Sequence, residues 1–221
     1  KDCLDLPDKI YTQRNITMTP EQKRIYKELK EYAMAHIEDK EFMTATNVMT
    51  QLLRMQQVLS GHTKSDSGDF IKVNDNRLNE LLDCLEEIEG KTIIWSRFRH
   101  DVVRIEAALS QMHGNLSVVT YFGDTKDEER SEAIEKFQNG KAQFFVGNPQ
   151  TGGMGITLNQ AQNVIYFANS FDLAVRTQSE DRAHRIGQKN NVTYIDFICE
   201  NTIDEKIVKS LRNKMDIASV V

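Results

Sequence analysis

The stretch "TIIWSRFRHDVVRIEAALSQMHGNLSVVTY", residues 92–121, decides the fold. It opens on a short apolar run, "TIIWS", and closes on another, "SVVTY"; residues 99–112 between them read as a helix. The same alternation continues downstream. Helix 126–138 leads to strand "AQFFVG" (142–147), then a glycine-rich turn "QTGGMG" (150–155) and strand "NVIYFA" (163–168). Helix 173–186, strand "VTYIDFI" (192–198) and helix 203–217 complete the series. Upstream, Leu78, Leu81, Leu82, Leu85 and Ile88 recur with helical period over residues 77–89, and Gly90 stops that helix. Strands that are apolar on both faces, separated by amphipathic helices, require a parallel sheet covered on both sides. The expected fold class is therefore α/β, a doubly wound parallel sheet with flanking helices over residues 76–221.

Ahead of this lobe, residues 1–75 are expected to form an extended arm and a helical segment. Residues 1–18 show only partial alternation. Thr19, Pro20 and Gln22 then make a helix start with a capping box, followed by Ile25, Tyr26, Leu29, Tyr32, Ala33 and Ile37 at helical spacing. A second helix is expected over residues 44–60, ended by Gly61, and the polar stretch "HTKSDSGDFIKVNDN" (62–76) reads as the boundary. The start at Lys1-Asp2-Cys3 reads as a piece of a longer protein.

Composition narrows the function classes. With 39% hydrophobic and 28% charged residues the chain is globular in type, and no apolar run approaches the ~20 residues of a membrane span, so no membrane partner is expected. Cys3, Cys84 and Cys199 stand far apart with no CxxC pair, and the five histidines are dispersed. That pattern predicts no protein-bound metal and suits a reducing cytoplasm. A net charge of −5 argues against a broad basic footprint but leaves room for a narrow phosphate track. The most basic short window is "WSRFRHDVVR" (95–104), with Arg97, Arg99 and Arg104 against Asp101.

In open parallel sheets ligands sit beyond the carboxyl ends of the strands, so the loops there carry the candidate chemistry. "EGKT" (89–92) is not a phosphate loop, because GxxxxGK[ST] needs a glycine where Leu85 stands and the segment precedes a strand. "TGGMGITL" (151–158) sets Gly152, Gly153 and Gly155 after a strand, where bare backbone could approach a phosphate or simply make a tight turn. "FGDTKDEER" (122–130) places Gly123 and Thr125 at a helix start, as an anion site or an ordinary N-cap. "QSEDRAHRIGQ" (178–188) carries Arg182 and Arg185 three apart, predicted on one helix face, with Gln178 a turn earlier. Such arginines could pair with Glu180 and Asp181, but at the rim of a sheet they suit a nucleotide held by another body.

In order along the chain, "TIIWSRFRHDVVRIEAAL", "FGDTKDEERSEAIEKFQNG", "TGGMGITL" with "NVIYFANSFDLAVRTQ", and "QSEDRAHRIGQ" resemble the signature motifs of the SWI/SNF family of helicase-like ATPases, in helicase superfamily two. "LPDKIYTQRNITMTPEQKRIYKEL" and "LLRMQQVLSG" resemble the segment leading into that family's second lobe, and "TIDEKIVKSLRNKM" the helix leaving it. The resemblance implies a RecA-like C-terminal lobe of a DNA-dependent ATP hydrolase. Its partners would be an N-terminal RecA-like lobe of the same protein, which would hold most of the ATP and its Mg²⁺, and double-stranded DNA. By motif position, Arg182 and Arg185 would be arginine fingers on the γ-phosphate, oriented by Gln178. Gly153, Gly155 and Asp181 would lie near the nucleotide, and Ser96, Arg97, Gly123, Thr125 and Thr151 along the DNA phosphates. Location in the cytoplasm, or in the nucleoid or nucleus, and an inactive isolated lobe would follow.

The chain departs from the family at Arg97, usually glutamine, at Phe171, Asp172 and Leu173 in place of tryptophan-asparagine-proline, and at Asn148, Pro149 and Gln150 before the glycines. Two rival readings are a standalone nucleic-acid-binding α/β module and a self-contained small-molecule enzyme. The enzyme would need rim chemistry from Asp124, Asp172 or His184.

Overall fold

Apolar strands with two covered faces dictate the layering seen in the computed structural model, which describes residues 6–38, 45–65, 67–123, 126–151 and 155–220. The elements run β1 (Lys9–Ile16), α1 (Pro20–Glu38), α2 (Ala45–Leu59), β2 (His62–Lys64), β3 (Phe70–Lys72), α3 (Arg77–Glu87) and β4 (Lys91–Ser96). They continue α4 (Arg99–His113), β5 (Val118–Tyr121), α5 (Asp127–Gln138), β6 (Phe144–Gly147), β7 (Ala161–Ala168), α6 (Leu173–Glu180), β8 (Val192–Cys199) and α7 (Ile203–Val220). Six strands form a parallel sheet in the order β1-β8-β7-β4-β6-β5. This is the RecA-like doubly wound architecture.

Side chains alternate across the central strand and so feed two cores. Ile94 faces one side with Ile165 and Phe167, against Leu81 of α3, Val102 and Ile105 of α4, Leu59 of α2 and Ile207 of α7. Ile93 and Trp95 face the other with Phe145 and Tyr166, against Ala133 and Phe137 of α5 and against Leu158 and Ala183. Each fully buried large side chain contributes roughly 1.5–3 kcal/mol relative to exposure. Among the described residues, no helix is long and apolar enough to cross a membrane.

At the start of α1 the expected capping box forms: the Thr19 amide donates to Gln22 Oε1 at 3.0 Å and the Gln22 amide to Thr19 Oγ1 at 3.2 Å. Three expectations about local structure change. The arm contains β1, which pairs in parallel with β8 from Lys9 opposite Val192 to Ile16 opposite Cys199. As an edge strand it leaves residues 10–13 exposed, which is why its apolar pattern is weak. The polar stretch 62–76 carries an antiparallel hairpin, β2 with β3, and buries Val73 completely. The helix expected over 173–186 ends at Glu180, and residues 181–187 form turns.

Candidate functional site

From β4 the chain crosses to the sheet edge at β5, returns through β6 beside β4, and then passes to β7 and β8 on the other side, so the strand order reverses at β4. The loops beyond β4, β6 and β7 therefore meet. The Arg97 amide donates to Ala168 O at 3.2 Å, and Asn148 Nδ2 donates to Arg97 O at 3.0 Å. Gln56, buried on α2, bridges from beneath: it donates to Asn169 O at 2.8 Å and accepts from Arg97 Nη1 at 2.8 Å. Burial lowers the Arg97 pKa. Gln56 stands inside "LLRMQQVLSG", but nothing in that stretch marks it as a partner of Arg97.

The turn bearing the two arginines ends α6 because tertiary partners take the carbonyls that a continuing helix would use. Leu158 N donates to Arg182 O at 2.8 Å, and Gln188 Nε2 donates to Ala161 O and Ala183 O at 2.9 and 3.1 Å. Asn159 Nδ2 donates to Ile186 O at 3.2 Å. Arg182 and Arg185 thus project from an irregular turn rather than from a helix face, yet both line one cleft of about 380 Å³ with Gly155, Gln178 and Asp181. The two differ in setting. Arg182 is 7% exposed, donates to Pro149 O at 3.1 Å and lies over the Trp95 ring, and burial lowers its pKa. Arg185 is exposed, with longer contacts to Gly155 O at 3.4 Å and Thr157 Oγ1 at 3.3 Å.

Gln178 is exposed at the cleft, and the Asp181 carboxylate lies 3.5 Å from Lys9 Nζ. Gly155 has φ +122°, with open space where a side chain would stand. Gly153 and Thr125 lie outside the described residues. Thr151 is half-buried, and Gly123 is exposed with its carbonyl accepting from Arg130 at 2.9 Å. Ser96 faces the interior: it is fully buried and donates to Asp101 Oδ2 at 2.6 Å. Of the residues an independent enzyme would need, Asp172 caps α6 by accepting from the amides of Ala174 and Val175. His184 Nε2 is held 2.6 Å from Pro7 O, and Asp124 lies outside the described residues.

Behind the cleft is a buried polar network: Tyr166, Asn169, Arg176 and Glu180 stand close together in the chain, but their partners Asp196, Lys9 and Tyr11 are distant in sequence and only the fold brings them in. Arg176 donates to Glu180 Oε1 at 2.7 Å, to Asp196 Oδ1 at 2.5 Å and to Asn169 Oδ1 at 2.9 Å, and its guanidinium stacks 3.6 Å from the Tyr166 ring centroid. Glu180 also accepts from Lys9 at 3.2 Å and Tyr11 at 2.7 Å. Burial opposes charge on Arg176, but Tyr166, Asp196 and Glu180 outweigh it and raise the pKa. The network ties α6 to β7, β8 and β1.

The profile of the helicase conserved C-terminal domain matches residues 74–187. An "Uncharacterized ATP-dependent helicase" of Mycoplasma pneumoniae is 27% identical over 219 residues, covering 97% of this chain and 21% of the relative. "Transcription regulatory protein SNF2" of Saccharomyces cerevisiae is 25% identical, covering 96% of this chain and 14% of the relative. The chain thus spans about a fifth or less of the length of these curated relatives. Among solved structures, the "Sulfolobus solfataricus SWI2/SNF2 ATPase core in complex with dsDNA" superposes with a TM-score of 0.74 at 28% identity, covering 97% of this chain and 46% of that one. The C-terminal part of the Fun30 ATPase domain gives 0.76 at 20% identity, covering 94% and 90%, a likeness of fold.

Proposed function

The chain belongs to the helicase conserved C-terminal domain family, as the C-terminal lobe of an SNF2-like ATPase, and from that membership we propose that it is half of an ATP-driven double-stranded DNA translocase. In this reading an N-terminal RecA-like lobe of the same protein holds most of the ATP and its Mg²⁺. The cleft of Arg182 and Arg185 closes over the terminal phosphate. The observation that carries the reading is the convergence of both arginines, from one turn, on an open cleft shared with Gln178, Asp181 and Gly155.

The chemistry fits that arrangement. A phosphoryl-transfer transition state spreads negative charge over equatorial oxygens, and a guanidinium aimed there is worth ~10³ to 10⁵ in rate. That corresponds to roughly 4–7 kcal/mol. Arg182, held by Trp95 and Pro149, is the fixed member of the pair; Arg185, with its longer contacts, is the one free to reach. Gln178 orients them, and Gly153 and Gly155 let backbone come close to the nucleotide. Because the arginines stand on a separate lobe, turnover requires closure, and closure can be coupled to a step along DNA. Arg97, Gly123, Thr125 and Thr151 lie along the DNA phosphates in this reading, with Ser96 supporting the track from below through Asp101. The double-stranded DNA in the archaeal neighbour supports that assignment.

The test joins this chain to its N-terminal lobe and measures DNA-stimulated ATP turnover. Arg182→Ala and Arg185→Ala should each lower turnover by orders of magnitude while leaving double-stranded DNA affinity largely intact. The 221-residue chain alone should show negligible hydrolysis. Loss of DNA affinity in step with turnover would instead place the arginines on DNA.

A further inference from the structure

His184 stands between the two cleft arginines in sequence and is held by the segment leading into β1. Its Nε2 lies 2.6 Å from Pro7 O. A carbonyl only accepts, so Nε2 carries the hydrogen and donates it. The same segment is locked to the sheet: the Asp8 amide donates to Asn191 Oδ1 at 3.0 Å, and the Val192 amide donates to Asp8 O at 3.1 Å.

Two residues further on, the segment grips the start of the arginine turn. Lys9 Nζ lies 3.2 Å from Glu180 Oε2 and 3.5 Å from Asp181 Oδ1. Tyr11 donates to Glu180 Oε2 at 2.7 Å. Glu180 is fully buried, and its backbone carbonyl accepts from the amides of Ala183 and His184 at 3.1 and 3.0 Å and from Tyr194 at 3.1 Å. The turn is therefore held on one side by residues 158–161 and on the other by residues 7–11. Arg185 has only longer side-chain contacts, so its place in the cleft depends on the backbone that His184 secures.

We infer that His184, with Pro7, Lys9 and Tyr11, is a positioning clamp that sets where Arg185 stands and couples the segment leading into β1 to the arginine pair. Its catalytic consequence rests on the proposed function; its structural consequence does not.

The experiment compares His184→Ala, His184→Gln and Arg185→Ala in the two-lobe protein, and follows the Arg185 side-chain Nε–H resonance in the 221-residue chain. Displacing a catalytic group slightly lowers turnover without weakening substrate binding, so His184→Ala should reduce kcat about tenfold or more with KM for ATP little changed. His184→Gln, whose amide can donate to the same carbonyl, should restore most of the rate. The Arg185 resonance should move in His184→Ala and return in His184→Gln. If Arg185→Ala abolishes turnover but His184→Ala leaves kcat intact, the clamp is overturned. An unmoved Arg185 resonance also overturns it. If Arg185→Ala itself leaves turnover intact, the proposed function fails, and the resonance alone decides the clamp. Should His184→Ala not fold, the double change Lys9→Met with Tyr11→Phe removes the hold on Glu180 and Asp181 and takes its place, with the same expected loss of kcat and shift of the Arg185 resonance.

Discussion

The guanidinium of Arg182 lies 5.2 Å from the centroid of the Trp95 ring, so a buried residue of the central strand fixes one of the two cleft arginines. Arg185, three residues on, is exposed and has no ring beneath it among the described contacts. Removing Arg182 loses the ring interaction and opens a gap in packed surroundings, whereas removing Arg185 leaves the interior untouched. Arg182→Ala should lower the unfolding free energy by about 1–3 kcal/mol, and Arg185→Ala should stay within about 0.5 kcal/mol. Urea denaturation of the two variants checks this; equal losses would contradict the different settings described for them.

Arg176 compensates two buried carboxylates at once, Glu180 and Asp196. Taking away one partner of a buried ion pair strands the other charge, so Arg176→Met should cost about 3–5 kcal/mol. Combining it with Asp196→Asn should cost less than the sum of the two single changes, because the stranded charge is gone. A double-mutant cycle by chemical denaturation measures the difference, and simple additivity would argue that the network is not coupled.

Opposite pH slopes should be hidden in the pair His62 and Asp101, whose Nδ1 and Oδ1 lie 3.8 Å apart beside His100, Arg104 and Asp75. Burial pushes the Asp101 carboxyl up from 3.8 to about 7. Its contribution to stability is complete below the unfolded value and is lost as pH rises to the folded one. Burial, with His100 adding to it, pushes His62 down from 6.5 to about 4. Its contribution is present above the unfolded value and is lost as pH falls toward the folded one. Between pH 4 and 6.5 the two oppose each other. Asp101→Asn should therefore expose a stability that rises with pH, and His62→Gln one that falls, each by a few kcal/mol at about 1.4 kcal/mol per pKa unit. Denaturation midpoints across that window report the sign, and two slopes of the same sign would refute the account.

Gly187 closes the arginine turn at φ +96°, and a side chain there would meet Asn159 Nδ2 at 2.5 Å, the atom that donates to Ile186 O. Gly155 has a similar backbone demand but open space around it. Gly155→Ala should cost only the backbone strain, about 1–2 kcal/mol. Gly187→Ala should cost more, because it also disturbs a hydrogen bond worth about 1 kcal/mol. Thermal unfolding of both variants ranks them.

Much of this architecture was legible in the order of residues. Continuous apolar runs such as residues 92–96 and 163–168 cannot be satisfied except in a sheet covered on both faces, and Thr19, Pro20 and Gln22 specify a helix start through contacts only three residues long. The motif "QSEDRAHRIGQ" and the glycine at 155 are legible in the sequence as cleft candidates, and both line the cleft. By contrast β1 was read as an arm, because an edge strand leaves most of its side chains in water and its partner β8 lies far along the chain.

The same limit governs the arginines. Their spacing suited a helix, and local propensity alone would have continued α6 to residue 186. The carbonyls of Arg182, Ala183 and Ile186 instead accept from Leu158, Gln188 and Asn159, and His184 is taken by Pro7. Chain order supplied the two charges. Only tertiary hydrogen bonds, from partners that are mostly distant in sequence, decided that the turn carrying those charges would open onto one cleft.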